Sequence, residues 1–148
     1  MSKPAEIAFA TTLHIRDHCL CLHVQRAARM VARRFDEALR PLGLTNGQFS
    51  LLTSLNRAEP ATMGATAALL AMDRTTLTAA LKPLQRGGLV EVRIDQADRR
   101  SRLLTLTPAG KALLASAFPA WKRTHAQVER LLDGTDADGL RRDLRALS

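Results

Sequence analysis

From Thr62 to Thr107 the chain reads TMGATAALLAMDRTTLTAALKPLQRGGLVEVRIDQADRRSRLLTLT, and the order of signals along this stretch decides the fold. Thr62 is a helix N-cap ahead of a short segment to Ala71 whose stripe of Met63, Ala67 and Leu70 is small enough for close helix packing. A turn at Met72 and Asp73 follows, with Asp73 capping a second helix that starts at Arg74 and buries Leu77, Ala80, Leu81 and Leu84. Pro83 deletes one hydrogen bond in that helix and predicts a kink; Gly87 and Gly88 end it. Two β-rich runs, Leu89 to Ile94 and Arg102 to Thr107, then flank a charged tip from Asp95 to Ser101. Helix, turn, helix and hairpin in this order predict a winged helix-turn-helix: a mainly α chain with a small β-hairpin wing.

The flanks extend this unit. Leu20, Val24, Ala27, Ala28, Val31, Phe35, Ala38, Leu39 and Leu42 recur at steps of three and four, which predicts one long amphipathic helix over His18–Leu42, stopped by Pro41 and Gly43. Residues 1 to about 17 have no clear period and read as a partly helical arm. Thr45 with Gln48 is a capping-box pattern opening a helix that carries Phe49, Leu52 and Leu55 inward. After the hairpin, Thr107-Pro108 starts a helix running through Leu113, Phe118, Trp121 and Leu132, with a bend expected at Pro119; Asp133-Gly134 breaks it, and Asp136–Ser148 forms a last helix. These terminal helices carry more leucine than a small winged core can cover, so a dimer interface competes with ordinary core packing as their reading. The expected organisation is therefore an N-terminal arm and dimerisation helix (1–44), a winged helix-turn-helix (45–107) and C-terminal dimerisation helices (108–148), in one continuous unit.

Composition bounds the function. The 148 residues are 46% hydrophobic and 24% charged, an ordered profile, and no apolar run approaches a membrane span of about 20 residues. The start lacks the basic-then-apolar order of a signal peptide, so a cytoplasmic protein is expected. The net charge is +8, with Lys3, Lys82, Lys111 and Lys122 the only lysines among 22 basic residues. Such an arginine excess favours a polyanionic partner, because each phosphate neutralised releases condensed counterions. No nucleophile elbow, phosphate loop or ligand-spaced metal motif is present, so no enzyme, cofactor or metal is expected. His14, His18 and His23 have helical spacings, but no carboxylate or further histidine cluster completes a site.

The run Ala27-Ala28-Arg29, Leu42-Gly-Leu-Thr-x-x-Gln-Phe49, Asp73-Arg74-x-Thr76-Leu77, Leu84-x-x-x-Gly88-Leu89-Val90 and Asp95-x-x-Asp98-Arg99-Arg100 before Leu106-Thr107-x-x-Gly110 resembles the MarR family of bacterial transcription regulators. The resemblance spans about residues 18 to 132. It implies a homodimeric, sequence-specific DNA-binding regulator, a repressor relieved by a small effector or oxidant, that places two recognition helices in successive major grooves of a pseudo-palindromic operator, roughly 34 Å apart. Combined with residue chemistry, it makes Arg74 the candidate base reader, bidentate to guanine, with Asp73, Thr75, Thr76 and Thr78 around it. In the wing, Arg99 or Arg100 is expected in the minor groove with Asp98 orienting it, and Arg93 and Arg102 are phosphate candidates. Lys82 and Arg86 are weaker candidates. Thr66, where the family usually has an aliphatic residue, and Ala71, where glycine is common, depart from the pattern.

Two effector readings follow. The family commonly binds small aromatic or phenolic anions between its dimerisation and DNA-binding parts, and Arg29 and Arg33 are the candidate partners for such an anion. Cys21 lies at the offset from Arg29 where the peroxide-sensing OhrR-like branch carries its reactive cysteine, which makes a redox regulator the alternative, with Cys19 beside it. That branch supports its thiolate with tyrosines; this chain has no Tyr, and Asn46 and Phe49 stand at two of those positions. Cysteines two apart on one helix point in different directions, against a mutual disulfide. A rival of another class is a winged-helix protein-interaction module that binds no DNA.

Overall fold

Two hydrogen bonds to one carboxylate tie the first long helix to the helix that follows it. Asp36 accepts the backbone N–H of Asn46 at 2.7 Å and its side-chain amide at 2.8 Å, tying helix α2 (Leu20–Leu39) to α3 (Asn46–Ser54). Between them a 3-10 turn at Arg40–Leu42 ends on Gly43 at φ 70, so Pro41 and Gly43 stop the helix as expected. The Thr45–Gln48 capping box is complete. The paired amide N–H groups hold the Asp36 carboxyl below its ordinary value of 3.8. The stabilisation it contributes is therefore complete above that value and is lost as the pH falls through the lowered one. Asp36→Ala is expected to cost about 1 kcal/mol at neutral pH, discounted for partial exposure. It should also flatten the acid limb of stability; denaturant titrations at neutral pH and near pH ~2 measure both.

A computed structural model describes residues 5–148; the first four residues of the expected N-terminal arm lie outside the described residues. The remaining elements are α1 (Phe9–His18), β1 (Ala61–Thr62), α4 (Met63–Leu69), α5 (Arg74–Arg86), β2 (Val90–Ile94), β3 (Arg102–Leu106), α6 (Pro108–Arg130) and α7 (Ala137–Ala146). The core gathers α3, α5 and the sheet around Leu39, Leu52, Leu77, Leu81, Leu84 and Leu104, all at most 2% exposed, and Ala117 of α6 closes it at 0%. α5 runs unbroken through Pro83 and α6 through Pro119.

The structure sharpens the sequence reading at the N-terminus and departs from it in the wing. The arm and the long helix are two helices, α1 and α2, separated at Cys19, whose backbone is extended at φ −70 and ψ 109. The arm, expected to be partly helical, is helical over Phe9–His18, and the break falls one residue from the expected start of the long helix at His18. His18 Nδ1 lies 2.9 Å from the carbonyl of His14, and His23 Nδ1 lies 2.8 Å from that of Cys19, so imidazoles bond carbonyls on both sides of the break. The wing has three strands in the order β1-β3-β2: Ala61 and Thr62 pair with Leu104 and Leu103, alongside the expected hairpin from Val90–Leu106 to Ile94–Arg102. Two residues give no period to read, so β1 was invisible in the sequence.

Two residues depart from the family pattern. Thr66 is 2% exposed, and its hydroxyl donates to the carbonyl of Thr62 at 2.9 Å, which satisfies the polar group that an aliphatic residue would lack. Ala71 holds φ 51, the only positive-φ residue other than glycine among the described residues. A Cβ in that region costs roughly 1–2 kcal/mol, so the turn between α4 and α5 is strained.

The terminal elements leave apolar surface uncovered. Phe9, Leu20 and Met30 on α1 and α2 are 74%, 70% and 53% exposed, and Leu131 and Leu147 at the other end are 58% and 63% exposed. Arg141 bridges Glu129 at 2.8 Å and Asp138 at 2.6 Å, fastening α7 back onto the end of α6.

Candidate nucleic-acid interface

α5 presents two chemically opposite faces. Leu77, Leu81 and Leu84 are buried against the core, while Arg74, Thr75, Thr76 and Thr78 are exposed at the N-terminal end. Asp73 accepts the backbone N–H of Thr76 at 2.7 Å, and that bond is the main reason its carboxyl titrates below the ordinary range. Asp73 therefore shapes the helix end. The Thr78 hydroxyl donates to the carbonyl of Arg74 at 2.7 Å, which commits its proton and leaves its oxygen lone pairs as acceptors. Arg74 makes no ion pair among the described residues.

The wing tip is built by its own aspartates. Asp95 accepts the N–H of Ala97 at 2.9 Å, and Asp98 that of Arg100 at 3.1 Å; the N–H of Ser101 donates to the Asp98 carbonyl at 2.8 Å. The Asp98 carboxylate, expected to orient an arginine of the tip, engages backbone here through an Asx turn. A side chain two residues from its target N–H closes this turn with less ordering than a charged pair between two flexible side chains requires. Arg99 and Arg100 are exposed and make no ion pair among the described residues. Arg102 folds back, its Nη1 donating to the carbonyls of Arg99 at 3.2 Å and Ser101 at 3.3 Å, so it braces the tip. Arg93 lies 3.7 Å from Glu91, with both side chains more than 60% exposed, a contact worth little in solvent.

A cavity of about 750 Å³ opens between α3, α4 and α6. Phe49, Leu69, Leu70, Phe118 and Trp121 form its apolar walls, and Lys111 is the charged residue of its lining. Neither Arg29 nor Arg33 lines it; both are exposed on α2. The sequence reading missed the site. Its signal was there: Lys111, Leu114, Ala115, Phe118 and Trp121 fall at helical steps of three and four on one face of α6.

Residues 42–101 match the family model described as MarR family. The DNA complex of the Mycobacterium tuberculosis regulator MosR superposes with a TM-score of 0.80 and 39% identity, over 88% of this chain and 93% of that one. The chain belongs to the MarR family. The repressor CouR, solved on a 23-mer DNA duplex, superposes with a TM-score of 0.78 and 28% identity over 97% of this chain and 99% of that one. The activatory protein BadR of Rhodopseudomonas palustris is 34% identical over 95 residues, 62% of this chain. This chain spans 54% and 61% of the lengths of the two curated relatives it matches.

Within this MarR-family frame the cysteines occupy different settings. Cys19 is half-buried at the α1–α2 joint, outside the helices, and Cys21 is exposed in the first turn of α2. Gln25 donates to the Cys21 sulfur at 3.1 Å, and Arg29 donates to Gln25 at 3.2 Å. Arg29 therefore anchors a side chain that touches the thiol. Asn46, at an expected tyrosine position, is engaged with Asp36 instead.

Proposed function

We propose that this protein is a sequence-specific DNA-binding transcription regulator that works as a homodimer and represses until an apolar, anionic small molecule enters the cavity beside Lys111. The observation that carries the reading is the set of exposed arginines without ion-pair partners among the described residues, Arg74 opening α5 and Arg99 and Arg100 at the wing tip, on a chain 39% identical to a regulator solved with DNA. Helix α5 offers Arg74 and its threonines to the major groove, and the wing arginines reach the minor groove. Arg93 supplies phosphate contact, and Asp73, Asp98 and Arg102 hold the shapes that present the others. The uncovered aliphatic residues of α1, α2, α6 and α7 support the dimer, which sets two copies of α5 roughly 34 Å apart.

Selection of bound duplexes from random DNA, repeated with a panel of small aromatic acids, tests the reading. Two dyad-related half-sites spaced about 10 base pairs centre to centre are expected, with release by an acid that Lys111→Met no longer permits. Failure to enrich any sequence overturns it.

The exposure of Cys21, with Gln25 donating to its sulfur, supports a second reading, regulation by oxidation of that thiol, because an accessible sulfur can meet an oxidant. On that reading peroxide releases the parent protein from DNA while Cys21→Ser stays bound. A Cys21→Ser protein that is released as readily as the parent removes the redox reading.

A further inference from the structure

The wall of the cavity continues directly into the turn of the DNA-reading unit. Leu69 and Leu70, which close α4, line the cavity, and Leu69 is 70% exposed to it and to solvent. Ala71 comes next, in the left-handed conformation at φ 51. Two hydrogen bonds hold it there: its own N–H to the carbonyl of Ala68 at 3.2 Å, and the Met72 N–H to that of Ala67 at 2.9 Å. Asp73 then caps α5. Nothing but Ala71 and Met72 lies between a cavity-wall residue and the cap of the recognition helix.

We propose that this turn is the joint through which occupancy of the cavity reaches α5. A molecule seated against Leu69 and Leu70 displaces the end of α4, the two hydrogen bonds open, Ala71 leaves its strained conformation and α5 loses its DNA-reading orientation. Alanine is what makes the joint responsive. A glycine there holds the left-handed turn without strain, whereas alanine keeps the closed turn close in free energy to the open one, so that modest differential binding tips the balance. The inference rests on the regulator reading above.

A double-variant cycle tests it in the full-length chain. Ala115 is exposed and lines the cavity from α6, so Ala115→Phe occupies part of the space without replacing a buried residue. Ala71→Gly relaxes the joint. Affinities are measured by filter binding at fixed salt for a duplex that the parent protein itself selects from random DNA. Ala115→Phe is expected to weaken binding tenfold or more in the parent and threefold or less in the Ala71→Gly background. Hydrogen exchange at the Met72 amide is expected to quicken in the first case and not in the second. Equal weakening in both backgrounds, or none in either, overturns the joint. If Ala115→Phe does not fold, Ser50→Phe fills the same cavity from α3, where Ser50 is also exposed. A parent protein that binds no duplex specifically overturns the regulator reading, and this is seen before any variant is made.

Discussion

Arg74→Ala is expected to weaken specific duplex binding by about 1 to 3 kcal/mol, roughly 5- to 150-fold, and to relax sequence preference at one position of each half-site. The size follows from the residue's circumstances. Arg74 is exposed at the first position of α5 and has no ion-pair partner among the described residues to release before it meets a base. The folded protein does not depend on it, so the unfolding midpoint should not move. Arg99→Ala and Arg100→Ala should behave differently: each is expected to weaken binding across many sequences and to lower the salt dependence by about one counterion. Titrations of matched and mismatched duplexes at two salt concentrations separate these behaviours. Unchanged affinity in Arg74→Ala would leave the protein-interaction reading of the winged helix standing in place of DNA binding.

The largest expected effect on stability comes from Gly110→Ala. A Cβ on Gly110 would run into the carbonyl oxygen of Leu89 and sit 3.1 Å from its carbonyl carbon and 3.4 Å from Leu106 Cδ2. The neighbour is backbone, and that carbonyl already accepts the N–H of Thr107 at 3.1 Å. It therefore has no cheap way to yield. Overpacking of this kind costs about 3 kcal/mol, and a chain of this size loses on the order of 10 °C in its thermal midpoint. Gly64 is the control, because nothing lies within 4 Å of its added Cβ; Gly64→Ala should be neutral or slightly stabilising. Calorimetry of the two variants beside the parent decides the matter, and equal midpoints would mean that α6 can shift away from β2 at little cost.

The elements that could be read in advance were those whose signals are local. Thr45, Thr62, Asp73 and Thr107 each cap the helix that follows, because a cap depends on residues three apart and little else. The apolar stripe of α5 became the core for the same reason. What escaped was set by tertiary contact. β1 exists because β3 is beside it. The cavity needs three helices to enclose it, so charge alone drew attention to Arg29 and Arg33 while Lys111 faced the space.

Trp121 has so far been only one wall of the cavity. It stacks between Phe118, at 5.9 Å between ring centroids, and His125, at 4.8 Å, with Phe49 at 6.3 Å. The chain contains one tryptophan and no tyrosine. Its near-ultraviolet emission therefore originates almost entirely from the ring that borders this space, and the unmodified protein is its own optical titration. Quenching or a spectral shift on adding a compound reports arrival at the cavity directly, with neither label nor DNA present, and binding to the cavity can be measured apart from any effect it has on the operator.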